Sequence, residues 1–328
     1  MRNSTQLDNT EWQQTDEGWQ TEFACPVVYL GDRSWIAYDC PERTEFFLNG
    51  EFLGTREKGS GHIPLDNILR PGRNCLETRT VHGHPDISLL VTGKSHFRVH
   101  ESDEPSLGCS CSWVPGSGIL KVQAQLMETN PGDTLRLILR DPDGRILDEV
   151  EVNADRQEPV DLVTDQSVLW QGVENPALLE LVAQLKRRGT VKDEIRMHTG
   201  MRTYSLDAAG AFLLNGRPYP IRGRIVTGTE DGGRLASLVK EGYTAVWDRS
   251  GQSAAWLLED CDRLGLVVFA TMDDHARQKL AAQGHVSLCF WIQEPGKPGG
   301  MDVTRLNLDA SLLETENEDF TLHSLLSR

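Results

Sequence analysis

The stretch FLLNGRPYPIRG, Phe212 to Gly223, divides the chain into two different periodicities. Asn215-Gly216 stands between two apolar runs there, and a tight hairpin turn that needs positive φ favours that dipeptide above most others. Upstream, short β-type runs are separated by turn residues. Downstream, continuous apolar runs alternate with amphipathic segments. The pattern predicts an all-β front joined through a hairpin to an α/β back.

The front divides in two. Residues 1–94 carry expected strands at Phe23–Leu30, Ser34–Asp39, Glu45–Leu48, Cys75–Val81 and Ile87–Val91. Asn49-Gly50, Gly59-Ser60-Gly61 and Pro71-Gly72-Arg73-Asn74 break them, which suggests a sandwich of two antiparallel sheets. Residues 95–205 give strands at Leu120–Met127, Thr134–Arg140, Arg145–Val152, Ala177–Leu185 and Glu194–Tyr204. Asp141-Pro142-Asp143-Gly144 supplies a hairpin turn between two of them. That number of strands fits an immunoglobulin-like sandwich, although the Cys-Trp-Cys spacing of antibody domains is missing.

In the back, residues 206–310, strands are expected at Pro220–Val226, Tyr243–Trp247, Leu266–Thr271 and His285–Trp291. Helices are expected at Leu235–Glu241, Ser253–Leu264 and Asp274–Gln283. Strands that are apolar throughout belong to a parallel sheet buried on both faces. Repeated βα units make a doubly wound sheet or part of an eight-stranded barrel. Residues 311–328 read as an acidic tail around LLETENEDF.

The net charge of -16 opposes a nucleic-acid partner, which needs a basic face; Lys186-Arg187-Arg188 is the one short basic cluster and reads as a solvated loop. Uncharged sugars or a protein surface suit this balance better. No run approaches the roughly 20 apolar residues of a membrane span. The N-terminal MRNSTQLDNTEWQQTDEGWQ lacks the apolar core of a signal peptide, and seven scattered cysteines fit reduced thiols, so a cytoplasmic location is expected. Cys109-Ser110-Cys111 reads as two thiols on one face of a strand, and His82-Gly83-His84 as a loop; neither spacing makes a metal site. With no phosphate-binding loop, dinucleotide fingerprint or nucleophile elbow, no cofactor is expected.

Several stretches in this order resemble glycoside hydrolase family 2, which includes β-galactosidases, β-glucuronidases and β-mannosidases. They are FFLNGEFLG with HIPLDNILRPGRNCLETR, LWQGVENPALLELVAQL, FLLNGRPYPIRG, SAAWLLEDCDRLGLVVF and HVSLCFW, which together span most of residues 40–295. The resemblance implies a jelly-roll, galactose-binding-like sandwich, an immunoglobulin-like sandwich and a (β/α) TIM-type barrel, here partial. It also implies a retaining glycosidase, whose two carboxylates stand about 5–5.5 Å apart. The family's acid/base Glu follows an Asn after the fourth strand; Gln293-Glu294 imitates that pair, two residues early and before Pro295. Its nucleophile lies on a seventh strand, for which no counterpart is legible. Of the residues that follow the family's first strand, only Arg222 matches, while Trp247, Asp248 and Trp291 stand at strand ends where a sugar could be gripped or stacked upon. Each also has an ordinary role: Arg222 as a brace, the tryptophans as core, Asp248 as a helix cap and Glu294 as a turn residue.

Three functions fit. One is a divergent, non-hydrolytic member that binds carbohydrate or protein. Another is a working β-glycosidase, with Glu294 as acid/base and a second carboxylate from another chain covering the open barrel edge. The last is a truncated product without activity.

Overall fold

The computed structural model describes residues 3–7, 12–25, 32–65, 68–80, 85–100, 106–114, 117–164, 168–226, 232–248, 255–271, 284–292, 305–306 and 319–321. The protein is mostly β-sheet and has several separate cores. In the first, a five-stranded antiparallel sheet is ordered Gln13–Thr15, Gly18–Cys25, Gly72–Arg79, Thr44–Leu48, Glu51–Arg56. It faces a four-stranded sheet, Asn3–Gln6, Asp86–Thr92, Arg33–Cys40, Gly59–Pro64. Phe23, Phe46, Leu48 and Leu76 from one sheet meet Ile36, Tyr38, Ile63 and Leu89 from the other. Strict alternation along Thr44–Leu48 places every second residue in this core, the period-two signature of a sheet with one dry face.

The middle region repeats the plan with three strands (Leu107–Val114, Ser117–Ala124, Val160–Thr164) against four (Ile146–Asn153, Asp133–Arg140, Leu179–Arg187, Thr190–Thr199). Leu120, Val122 and Leu162 pack on Leu137, Leu139, Leu181 and Ala183. Cys109 lies buried in this core, and the Cys111 thiol donates to the Gly200 carbonyl at 3.3 Å. All seven cysteines are free thiols, and no cluster of three or more metal-ligating side chains occurs among the described residues. His82 and His84 lie outside the described residues.

The expected strand Glu194–Tyr204 is in fact two. The first ends at Thr199, and Tyr204–Leu206 starts a separate hairpin sheet with Phe212–Leu214 and Arg217–Pro218. The break has a packing cause: a Cβ at Gly200 would come within 2.7 Å of Val286, so the chain passes close to the back sheet there. The hairpin itself is as expected, with Asn215 at φ 52 and Gly216 at φ 74.

In the back, strand β1 (Arg222–Val226), helix α1 (Gly232–Lys240), β2 (Ala245–Asp248), α2 (Ala255–Leu264), β3 (Val267–Thr271) and β4 (Leu288–Ile292) follow in order. The four strands pair in parallel in sequence order. The helix expected at 274–283 lies outside the described residues. One sheet face carries the helices, with Val246, Val268 and Ala270 against Leu235, Leu238, Leu257 and Cys261. The other face, with Trp247, Phe269 and Phe290, is filled by Trp170 and by Phe212, Leu214, Tyr219 and Ile221 of the hinge. Phe269 and Phe290 stack at 4.4 Å.

Two short strands extend this sheet where the sequence showed none. Strand β5 (Arg305–Leu306) adds in parallel beside β4, and β6 (Asp319–Thr321), inside the expected acidic tail, runs antiparallel along the free edge of β1. The Asp319 carboxylate accepts hydrogen bonds from Arg224 Nη1 at 3.0 Å and the Tyr243 hydroxyl at 2.9 Å. A three-residue strand has too little pattern to be legible; its place comes from the edge it covers.

Candidate functional site

In parallel βα sheets, ligands and catalytic groups gather where the strands end, and the opposite rim serves stability. Of the expected site residues, the side chains of Arg222, Trp247 and Asp248 are described, and these three do not converge at the strand ends. Arg222 opens β1 rather than closing it, which corrects its placement at a strand end. Its guanidinium donates to the Glu241 carbonyl at 2.9 Å, just past the last residue of α1, and lies 4.5 Å from the centre of the Tyr243 ring. A cation at a helix C-terminus faces the negative end of the helix dipole, so this is a bracing contact.

Trp247 does stand near the end of β2, but its side chain belongs to the core beneath the hinge and is 1% exposed. Asp248 ends β2 and is fully buried. Period two puts it on the same face as Val246, towards the helices. The backbone of Trp291 pairs with Ala270 and Arg305, while its side chain and the whole of Glu294 lie outside the described residues.

A dense set of contacts sits instead around the beginnings of β3 and β4, where the middle region meets the sheet. Asp262 of α2 is its centre. One carboxylate oxygen accepts the Ser287 N–H at 2.7 Å, and the other lies 2.8 Å from His285 Nδ1. A carboxylate only accepts, so Nδ1 carries the proton in this pair. Both side chains are nearly buried, at 9% exposed for His285 and 7% for Asp262. The backbone carbonyl of Asp262 accepts the Trp170 indole N–H at 2.9 Å.

Close by, Gly265 has φ 81, and a Cβ there would fall 2.3 Å from the Gly172 carbonyl oxygen; only glycine admits this approach. The Val173 N–H donates to the Tyr219 hydroxyl at 3.1 Å, and burial pushes the Tyr219 phenol up to about 12. From the other side Arg202 donates to the carbonyls of Val286 and Leu288, and the Thr199 hydroxyl donates to Gly284. The sequence reading used these stretches for their resemblance and missed that Asp262, His285, Trp170 and Tyr219 meet. Their only signal was that each falls inside one of the resembling stretches.

No family model matches the chain. It is 26% identical over 276 residues to the β-galactosidase BoGH2A of Bacteroides ovatus, a match covering 74% of this chain and 32% of that enzyme. It therefore spans about a third of the length of this curated relative. Among solved structures, the FMN-binding β-glucuronidase of Faecalibacterium prausnitzii superposes with TM-score 0.73 at 18% identity, over 93% of this chain and 60% of that one. The β-glucuronidase of Bacteroides uniformis gives 0.70 at 17%, over 89% and 47%. A putative β-galactosidase of Bacteroides fragilis gives 0.67 at 19%, over 85% and 51%. The chain is thus similar in fold to part of the glycoside hydrolase family 2 enzymes.

Proposed function

We propose that this protein is a non-hydrolytic, carbohydrate-binding relative of the family 2 glycosidases. Its parts are a jelly-roll-like sandwich, an immunoglobulin-like sandwich and a partial barrel. The observation that carries the reading is β6. Closure of an eight-stranded barrel brings a last strand in parallel beside the first. Here the free edge of β1 is paired antiparallel with Asp319–Thr321. That arrangement opposes closure at the edge where the last strand of a barrel would pair. It also covers that edge in cis.

The buried Trp247 and Asp248, and Arg222 at the opposite rim, add support. The charge of -16 favours neutral sugars over polyanions. No helix among the described residues is long and apolar enough to cross a membrane.

The test is hydrolysis of nitrophenyl β-galactoside, β-glucuronide and β-mannoside by the purified chain. No turnover above buffer is expected. Turnover that Glu294→Gln abolishes would overturn the reading and restore the glycosidase.

A further inference from the structure

Where the strand Thr190–Thr199 passes α2, the surface folds into a crevice of about 620 Å³. This lies within the roughly 300–1,000 Å³ of small-molecule sites, which favour the seams between structural units. Its walls are fixed to each other. The Thr199 bond to Gly284 and the Trp170 bond to Asp262 tie the middle region to the back sheet, and the His285–Asp262 pair forms part of the lining.

One wall is apolar, made by Leu107, Leu178, Ile195 and Met197. Facing it, α2 presents Glu259 and Arg263 on adjacent turns, and Ser106 and His198 complete the polar lining. The two arginines are committed: Arg263 to the Asp260 carboxylate, and Arg196 to Glu194 at 2.9 Å and Glu180 at 3.1 Å. Among the described residues, no side chain pairs with Glu259 or His198. The crevice thus offers an unengaged carboxylate, an imidazole and a hydroxyl opposite an apolar strip, with no spare positive charge. An anion would meet carboxylates and a chain of charge -16. A pyranose fits better, because its C–H face suits the strip and its hydroxyls donate to carboxylate and imidazole acceptors.

We propose that this crevice, and not the strand ends of the parallel sheet, is the carbohydrate site, and that it takes a neutral mono- or disaccharide with Glu259 accepting from its hydroxyls. The ligand class rests on the function proposed above; the location rests on the crevice. The test titrates the whole chain with lactose, cellobiose and mannobiose, with glucuronate as the charged comparison, by calorimetry and ligand-observed NMR. Wild type, Glu259→Ala and His198→Ala are compared, both substitutions being on exposed side chains.

At least one neutral saccharide is expected to bind, more tightly than glucuronate. Losing a hydrogen bond to a charged group should raise Kd about tenfold or more in Glu259→Ala. Binding that neither substitution weakens would overturn the site and leave the carbohydrate-binding reading standing. Preference for glucuronate would overturn the neutral-ligand assignment alone. No binding by wild type would overturn both.

Discussion

Replacing Asp262 by Asn tests whether the junction holds the back sheet in place. The substitution keeps size and shape, so no cavity forms. It does remove an acceptor: the carboxylate receives Ser287 N–H on one oxygen and His285 Nδ1–H on the other, at 2.7 and 2.8 Å. An amide has a single oxygen, so once it takes the Ser287 N–H its NH2 group can only donate, His285 must move its proton to Nε2 to accept it, and neither bond is charge-assisted any longer. Both side chains are nearly buried, so water screens the charge only weakly. Turning two charge-assisted bonds into neutral ones costs about 2–3 kcal/mol, roughly 1–1.5 kcal/mol for each. If the segment from Gly284 to Ile292 opens as a local unit, the Ser287 amide should exchange about 30- to 150-fold faster, at a factor of ten per roughly 1.4 kcal/mol. Hydrogen exchange with mass spectrometry reads this directly, and the strand Asp133–Arg140 in the middle core serves as the internal control. Exchange at Ser287 within about threefold of wild type would refute the role given to Asp262, since a 2 kcal/mol loss cannot produce so small a change.

Ending the chain after Glu318 removes β6 and frees the β1 edge, so the Arg222–Arg224 amides should exchange faster and light scattering should show association; unchanged protection and unchanged mass would count against the edge cover. The acid limb of stability should depend on Asp133, a carboxylate only 1% exposed that the Arg187 guanidinium holds below its usual range. With the folded pKa lowered, the unfolded chain binds the extra proton, so this stability is present above the ordinary carboxylate pKa of about 4 and is lost as pH falls through the folded value. Urea midpoints followed downward from about pH 6 should therefore fall less steeply in Arg187→Met than in wild type; parallel acid limbs would exclude the pair as a source of acid sensitivity.

Legibility in the sequence followed the range of the cause. Both Asn-Gly hairpins are local chemistry, and Asn49 and Asn215 take the positive φ of 54 and 52 that the dipeptide demands. The parallel strands were visible because burial on both faces makes them apolar throughout, as in Val267–Thr271. Strands β5 and β6 were invisible because two or three residues carry no period; only the edge beside them defines them. The site was least legible. Trp247 and Asp248 are neighbours in sequence, but successive strand residues face opposite ways, so one enters the core under the hinge and the other faces the helices. The Asp262–His285 pair spans 23 residues across a helix end, strand β3 and the segment that follows it, a separation that no spacing rule reaches.

The contrast between the two rims explains how this chain keeps the fold at 18% identity while Arg222, Trp247 and Asp248 are held in bracing and core positions. The resembling stretches supply Trp170, Tyr219, Asp262 and His285, and these meet at the rim where contacts act on stability. Arg222 decides whether that division is real, because by resemblance it belongs to the mouth and by geometry to the opposite rim. Its bond to the Glu241 carbonyl and its place over Tyr243 make it a cap on α1, a contact worth roughly 0.3–1 kcal/mol at a helix end. Arg222→Ala should lower the thermal midpoint slightly, speed exchange at the end of α1, and leave saccharide affinity unchanged. Arg222→Lys should recover part of the loss, since a point charge keeps the dipole contact without the planar group over the ring. Loss of saccharide binding in Arg222→Ala at unchanged stability would give the opposite answer, and would make Arg222 a ligand contact rather than a brace.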